Sequence, residues 1–473
     1  MAEQYDVVVL GGGIGGYTAA IRAAQLGKNV AIVEKHKLGG TCLHRGCIPS
    51  KTLLKSAELY AAMKNSAEFG ISASDVALDF GKVQERKLRL VDQLTKGLDY
   101  LMKKNKIRVV YGHGRIIGPS IFSPRSGSVA VEKEDGEIET LVNDHLIIAT
   151  GSQPRNLPGL ETDGERIMTS DEALRMEKLP ESILIVGGGA IGVEWASMLN
   201  DFGVRVTVIE YENRLIPAED EEISRELERL LKKRGVRIVT GAKIVPDTLV
   251  KNGKGLVVQA ERKGGREEFA AEKMLVSVGR QAAIHDIGLE NTGVKVERGL
   301  IKVNSAMQTA EGHIYAVGDV IGGPQLAHAA AHEGLIAAEH LAGRQTEGYA
   351  SHRVPRCIYA RPEIASVGWT EQQAVELGYD VKTGKFPFRA LGKALIEGDA
   401  EGFVKVVADR KTNDLLGVHM IGPHVTNYIS EAALAQLLDA TPWEVGQTIH
   451  PHPTLSESLF EAMLAVDDMA IGI

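Results

Sequence analysis

The residues best equipped for chemistry are Cys42 and Cys47, set in Gly39-Gly40-Thr41-Cys42-Leu43-His44-Arg45-Gly46-Cys47-Ile48-Pro49-Ser50-Lys51. A zinc site usually needs four ligands from more closely spaced pairs, and the remaining cysteine, Cys357, stands alone. A disulfide is the better reading. Five residues of regular helix rise about 7.5 Å, whereas a disulfide holds its Cα atoms about 4.4–6.8 Å apart. The backbone between the two must be distorted or the bond strained, and Gly46 and Pro49 supply the means to leave helix geometry. Strained or accessible disulfides are the reducible, catalytic kind. Arg45, between the cysteines, either favours a thiolate or is a solvated surface charge.

Two glycine-rich loops must position what such a pair reacts with. Gly11-Gly12-Gly13-Ile14-Gly15-Gly16 follows the strand-like run Tyr5 to Leu10 and precedes a helical pattern through Leu26, stopped by Gly27. A second apolar run, Val30 to Val33, ends on Glu34, 18 residues after Gly16. In this pattern Gly11 permits the tight turn, Gly13 lets a pyrophosphate approach, and Gly16 lets helix and strand pack closely. The helix N-terminus offers partial positive charge, and the acid binds ribose hydroxyls. The arrangement repeats: strand Ile183 to Val186, loop Gly187-Gly188-Gly189-Ala190-Ile191-Gly192, helix to about Phe202, strand Val204 to Ile209, then Glu210, again 18 residues on. Two copies with matching acids are far more specific than one. Glu210 repels a 2′-phosphate and bonds a free 2′-hydroxyl, so NAD is favoured over NADP; Gly187, Gly189, Gly192 and Glu210 form the expected NAD site.

The terminal block His450-Pro451-His452-Pro453-Thr454-Leu455-Ser456-Glu457 precedes another helical stretch. Histidine is the side chain best suited to moving protons near neutral pH. Thr454-x-x-Glu457 also has the form of a capping box, so Glu457 has a structural as well as a chemical reading.

The 473 residues suggest about three domains. The net charge of −8 argues against nucleic acid as a partner. Thr412 to Ile473 carries eight acids and no Lys or Arg: either a solvated face or a docking surface for a basic partner. No signal peptide is visible, and no apolar run approaches the roughly 18 residues of a membrane span. A cytoplasmic chain with no membrane segment is expected. Three cysteines make no structural disulfide framework.

These motifs together resemble the pyridine nucleotide–disulfide oxidoreductase family, and in it the members that oxidise dihydrolipoamide. The likeness runs along essentially the whole chain. It includes Ala149-Thr150-Gly151, Glu194 behind the second loop, Val278-Gly279-Arg280, Tyr315-Ala316-Val317-Gly318-Asp319, Leu326-Ala327-His328, Pro362 to Gly368 and the terminal block. It implies an α/β fold with two Rossmann-like dinucleotide-binding domains, for FAD and NAD, plus a C-terminal α+β dimerisation domain. The division expected is 1–150 for FAD, 151–278 for NAD, 279–346 returning to FAD, and 347–473 for the interface.

The resemblance also implies roles. Cys42 is attacked by substrate, and Cys47 lies nearer the flavin. His452, oriented by Glu457, is the base that makes the substrate dithiol a thiolate, and it serves the cysteines of the other subunit. Lys51 and Glu194 pair beside the flavin ring. The first loop (Gly11, Gly13, Gly16) with Glu34, Thr41, Lys51, Gly114, Thr150, Gly151, Asp319 and Ala327 holds FAD; Val245 and Gly279 join the NAD site. No metal is expected. The partners implied are a second copy of the chain and the lipoyl and peripheral subunit-binding domains of an acyltransferase core.

Some positions depart from the family pattern. His44-Arg45 replaces Asn-Val, Gln281-Ala282-Ala283 replaces x-Pro-Asn, Arg361 stands where His or Thr is usual, and Asn427 where Glu is usual. Rival readings are another reductase of this fold or a redox-sensing scaffold subunit. A glutathione reductase should be basic at position 210, and a mercuric reductase should carry a C-terminal cysteine pair, which is missing after Cys357.

Overall fold

Val7-Val8-Val9-Leu10 and Ile183-Leu184-Ile185-Val186 are continuous apolar runs, the signature of strands buried on both faces of a parallel sheet. Each has a parallel neighbour on both sides in the computed structural model, which describes residues 3–119 and 125–473. The helices that matter below are α1 (Ile14–Gln25), α2 (Gly40–Arg45), α3 (Cys47–Lys64), α4 (Phe80–Lys104), α5 (Ser170–Ala173), α6 (Ala190–Asp201), α7 (Glu221–Lys233) and α8 (Ala327–Leu341). None among the described residues is long and apolar enough to cross a membrane.

The chain forms two compact units. The first comprises Met1–Thr52, Lys82–Arg155 and Arg280–Ser351. Its strand Glu3–Leu10 pairs in parallel with Val30–Glu34 on one side and Ile138–Ile148 on the other. Arg108–Tyr111 extends the sheet beyond Val30–Glu34. Ile314–Ala316, from the returning segment, pairs in parallel with the end of Ile138–Ile148. Ala19 and Ala23 of α1 and Ala337 and Ala338 of α8 share the buried core on one face; small residues let the two helices sit close together.

The second unit comprises Leu53–Gly81, Asn156–Gly279 and His352–Ile473. Its parallel sheet places Ser182–Val186 between Arg205–Ile209 and Lys273–Val276. A five-stranded antiparallel sheet follows in the last segment, ordered Arg356–Ile358, Glu363–Gly368, Leu415–Gly422, Phe403–Asp409, Val381–Pro387. Its core contains Phe386, Phe388, Val404, Val406, Met420 and Ile429. The terminal helix Glu457–Leu464 adds Leu459, Ala462 and Met463 to that core. Spacings of three and four put them on one helix face, which fixes the helix that begins at Glu457. The α/β architecture with two parallel-sheet domains and a C-terminal α+β domain is therefore as the sequence implied.

One charged cluster in this unit centres on a buried lysine. Lys405 Nζ contacts both carboxylate oxygens of Asp220 at 3.1 Å, Glu222 at 2.9 Å and Glu371 at 2.6 Å. Asp220 also caps α7, accepting the Glu222 amide. A buried ammonium needs such partners, because leaving water costs it several kcal/mol (roughly) without them.

Candidate active site

The cysteines sit on different helices. α2 ends at Arg45, Gly46 leaves helix geometry at φ −150° and ψ −112°, and α3 begins at Cys47. That single break brings the two Cα atoms to 4.7 Å and lets the sulfurs form a disulfide. Gly46 is thus the residue that departs from the helix, as its type suggested. Pro49 is not: it lies in the first turn of α3, where its missing N–H leaves no bond unmade. Thr41, Cys42, Cys47 and Lys51 are half-buried, while Arg45 is exposed.

The first glycine loop leaves the strand Glu3–Leu10 at its C-terminal end and enters α1. Gly11 has φ +110°, and a Cβ on Gly16 would lie 1.9 Å from the Gly11 carbonyl oxygen, so neither position tolerates a side chain. Glu34 Oε2 accepts the Gly12 amide at 2.8 Å and Oε1 the His36 amide. The acid therefore shapes the loop as well as standing at its mouth. Close by in the same unit, the Gly151 carbonyl accepts the Ala283 amide. The Ser152 hydroxyl donates to Asp319, and Arg280 donates to Ser152 through Nε at 2.7 Å and Nη2 at 2.8 Å. Glu333 on α8 accepts the Gly318 amide at 2.7 Å and the Tyr349 hydroxyl. Gly114 is packed in its strand among Leu10, Val33 and Val129, and Ala327 opens α8. The hydroxyl of Thr150 is buried with no hydrogen-bond partner among the described residues. An orphaned donor beside a dinucleotide loop fits a polar ligand that completes it.

The second loop repeats the first. Gly187 has φ +107°, and a Cβ on Gly192 would lie 1.9 Å from the Gly187 carbonyl oxygen. Glu210 accepts the Gly188 amide and, at 2.7 Å, the Glu212 amide. Gly189 is the N-cap of α6, so the helix begins where a pyrophosphate would meet its free amides. Both loops fit dinucleotides. Val245 lies half-buried on the strand Lys243–Asn252, and Gly279 is exposed with φ +105°. Glu194, on α6, is only 8% exposed and accepts the Tyr359 amide at 3.0 Å.

In the terminal block, His452 Nδ1 meets Glu457 Oε1 at 2.8 Å, and Glu457 Oε2 accepts the Thr454 amide at 2.8 Å. The Thr454 hydroxyl donates to Pro451, and the helix starts at Glu457. Only half of a capping box exists, leaving the other carboxylate oxygen for the histidine. The His452 side chain is 79% exposed. His450 differs: its side chain is only 5% exposed, its Nε2 meeting Glu431 at 2.7 Å and its Nδ1 the Thr448 carbonyl at 2.9 Å. It has no nitrogen to spare for a substrate.

Sequence reading missed the supports of these groups: Ser152 and Arg280 around Asp319, Glu333 under Gly318, and Tyr359 on Glu194. The last pair is separated by 165 residues, and no local pattern signals it.

Comparison with known proteins agrees with this geometry. Residues 5–334 match the family described as pyridine nucleotide-disulphide oxidoreductase, and residues 354–463 its dimerisation domain. The chain is 62% identical over 472 residues to a dihydrolipoyl dehydrogenase of Bacillus subtilis, covering all of both chains. It is 42% identical to one from Zymomonas mobilis, again over the full length of both. Among solved structures, LpdA of Mycobacterium tuberculosis superposes with a TM-score of 0.90 at 28% identity, covering 98% of this chain and 99% of that one. The HOCl-induced flavoprotein disulfide reductase RclA of Escherichia coli gives 0.85 at 28% identity, covering 98% and 99%. The chain belongs to the pyridine nucleotide-disulphide oxidoreductase family.

Proposed function

We propose that this protein is a flavoenzyme that oxidises dihydrolipoyl groups and reduces NAD. The observation that carries the reading is the Cys42–Cys47 disulfide, set across the Gly46 break between two helices. The relatives' shared name supplies the substrate class, and two acid-terminated glycine loops supply the cofactor sites.

His452 takes a proton from one substrate thiol, with Glu457 holding the ring. The resulting thiolate attacks Cys42 Sγ; the Cys42–Cys47 bond breaks and Cys47 leaves as a thiolate. The second substrate thiol then closes the substrate's own disulfide, its proton passing to the displaced Cys42 sulfur, so that Cys42 is left as a thiol and Cys47 as a thiolate. FAD, when bound, supplies the two-electron chemistry that links this reduced pair to hydride exchange with NAD. Gly11, Gly13, Gly16, Glu34, Thr41, Gly114, Thr150, Gly151, Asp319 and Ala327 hold FAD. Gly187, Gly189, Gly192, Glu210, Val245 and Gly279 hold NAD. Lys51 and Glu194 would serve the electron exchange between the flavin and NAD.

The same reading divides the chain at 150, 278 and 346 into FAD, NAD, FAD-returning and interface parts. The chain carries a dimerisation domain, and His452 completes the cysteine site of the second copy. Lipoyl and peripheral subunit-binding domains of an acyltransferase core are the further partners proposed, in the cytoplasm, where NAD is abundant. Of the terminal acids, Asp439 pairs with Arg353 and Asp467 with Lys382, while Glu431 meets His450 and Glu444 caps a helix at Thr441. Glu461 accepts the Ile471 and Gly472 amides, which leaves Asp414 and Asp468 as the acids proposed for a basic partner.

Steady-state assay of the purified, FAD-loaded protein with dihydrolipoamide and NAD tests the function. Turnover with this pair, and weak turnover with glutathione disulfide and NADPH, is expected. The reverse preference would replace the reading with that of another disulfide reductase.

A further inference from the structure

α6 bears both the loop that receives the NAD pyrophosphate and Glu194. Glu194, Ser197 and Asp201 follow at spacings of three and four, so they line one face of the helix. One short stretch of chain, the turn between strands Arg356–Ile358 and Glu363–Gly368, meets all three. The Tyr359 amide donates to Glu194 at 3.0 Å, and the Arg361 amide donates to Ser197 Oγ at 2.9 Å. The Arg361 guanidinium reaches both oxygens of Asp201, Nη2 to Oδ1 at 2.6 Å and Nε to Oδ2 at 3.3 Å. Arg234, just past α7, closes the group from the other side. It donates to Asp201 Oδ1 at 2.6 Å, to Ser197 Oγ at 3.1 Å and to the Arg361 carbonyl.

The arrangement has mechanical content. The three attachment points span about 10 Å of helix at about 1.5 Å per residue, so α6 can neither slide nor roll without breaking several bonds at once. Asp201 is 6% exposed and lies between two guanidinium groups; charge-assisted bonds to a shielded carboxylate are roughly twice as strong as neutral ones. Position 361 is also one where the chain departs from the usual His or Thr, neither of which offers a two-nitrogen fork.

We propose that Arg361 is a positioning residue for hydride exchange with NAD: through Asp201 and Ser197 it fixes the register of α6 and so the place of Glu194. The inference rests on the reading that Glu194 stands beside the nicotinamide. Misplacing a reacting group by about 1 Å can cost up to ~10²-fold in rate, and loosening one of three attachments should cost less.

The test separates the two half-reactions by stopped flow on FAD-loaded protein. Arg361→Ala should slow flavin reduction by NADH about tenfold and leave reduction by dihydrolipoamide within about twofold of wild type. Arg361→Lys should fall between, since an ammonium restores charge without the fork. Ser197→Ala provides a second, milder loosening, and thermal unfolding midpoints separate a folding defect from a positional one. Glu194→Gln should itself slow the NADH step, and adding Arg361→Ala to it should slow that step no further. Equal loss in both half-reactions, an unchanged NADH step in Arg361→Ala, or independent multiplication of the two effects would overturn the role of Arg361. A Glu194→Gln variant with an unchanged NADH step would instead overturn the placement of Glu194 itself.

Discussion

His452 Nδ1 and Glu457 Oε1 lie 2.8 Å apart, across five residues of chain at the start of the terminal helix. Burial works against the charge on Glu457, but the Thr454 amide and the His452 ring outweigh it and hold the carboxyl below its ordinary value. An ionised Glu457 accepts a hydrogen bond, so Nδ1 donates it and the lone pair resides on Nε2. The exposed end of the ring is then the basic end.

Replacing that base gives the first prediction. His452→Gln should lower lipoamide turnover by roughly 10²–10⁴-fold, the usual worth of a general base. NADH should still reduce the flavin at the wild-type rate. Stopped-flow measurement of each half-reaction decides, and equal loss in both would mark His452 as structural.

Cys42→Ser should abolish lipoamide turnover and leave a folded, yellow protein. The serine cannot form the disulfide, whereas most of the groups proposed for FAD, Gly11, Gly13, Gly16, Glu34, Thr150 and Asp319 among them, lie on other segments of the chain. The flavin absorption spectrum and the lipoamide assay together check this; retained turnover would remove Cys42 from the chemistry.

Glu210→Arg should shift preference from NAD toward NADP, because a carboxylate at the ribose repels a 2′-phosphate. The same change removes the acceptor of the Gly188 and Glu212 amides, so affinity for NAD should fall as well. Ratios of kcat/KM for the two cofactors are the measurement, and an unchanged ratio would place Glu210 away from the ribose.

Lys405→Met should destabilise the protein by about 3–5 kcal/mol, the cost of stranding the buried Asp220 carboxylate. Burial works against the Lys405 charge, yet Glu371, Glu222 and Asp220 raise its value to about 12. A raised value means stability that is complete below the ordinary 10.5 and is lost as pH climbs through about 12. Asp220 and Glu222 are lowered, burial opposing and Lys405 contributing to both, so their part is present above the ordinary carboxylate range and lost as pH falls through the lowered values. The penalty of Lys405→Met should therefore shrink on acidification. Denaturant unfolding at several pH values would show it, and a pH-independent penalty would assign the loss to packing alone.

Association with a basic subunit-binding domain should weaken with salt, since the Debye length falls from about 10 Å at 0.1 M to about 3 Å at 1 M. Neutralising Asp414 and Asp468 should weaken it more than neutralising Asp439 and Asp467, which are paired within the chain. Calorimetric titration at two salt concentrations tests both statements; indifference to salt would leave these acids a solubility role.

What was legible in the chain were features written over short stretches. A glycine loop, its strand, its helix and its acid fall within about 30 residues, so Gly11 to Glu34 and Gly187 to Glu210 could be read whole. The break at Gly46 could be read because two cysteines five residues apart cannot meet on a regular helix. Pro49 was misread, since proline is harmless in a first helical turn. The half-formed capping box at Thr454 and Glu457 depends on where the helix starts, which periodicity leaves loose by a few residues. The contacts of Tyr359 and Arg361 with α6, and of Glu333 with Gly318, depend on how distant segments pack, and no spacing rule reaches that far.

The split make-up of the first unit sets an order of manufacture. The strand Ile138–Ile148 has one edge shared by two neighbours: Ser128–Glu132 covers its start and Ile314–Ala316 its last three residues. Ile148 and Ile314 are 166 positions apart. At about 5–20 residues per second, a ribosome needs roughly ten to thirty seconds to deliver the missing strand. Throughout that interval Leu146, Ile147 and Ile148 present an unpaired, wholly apolar edge, the kind that recruits foreign strands. The newborn chain is most exposed to misassembly in that interval, and a fragment cut after residue 150 would remain in that state for good.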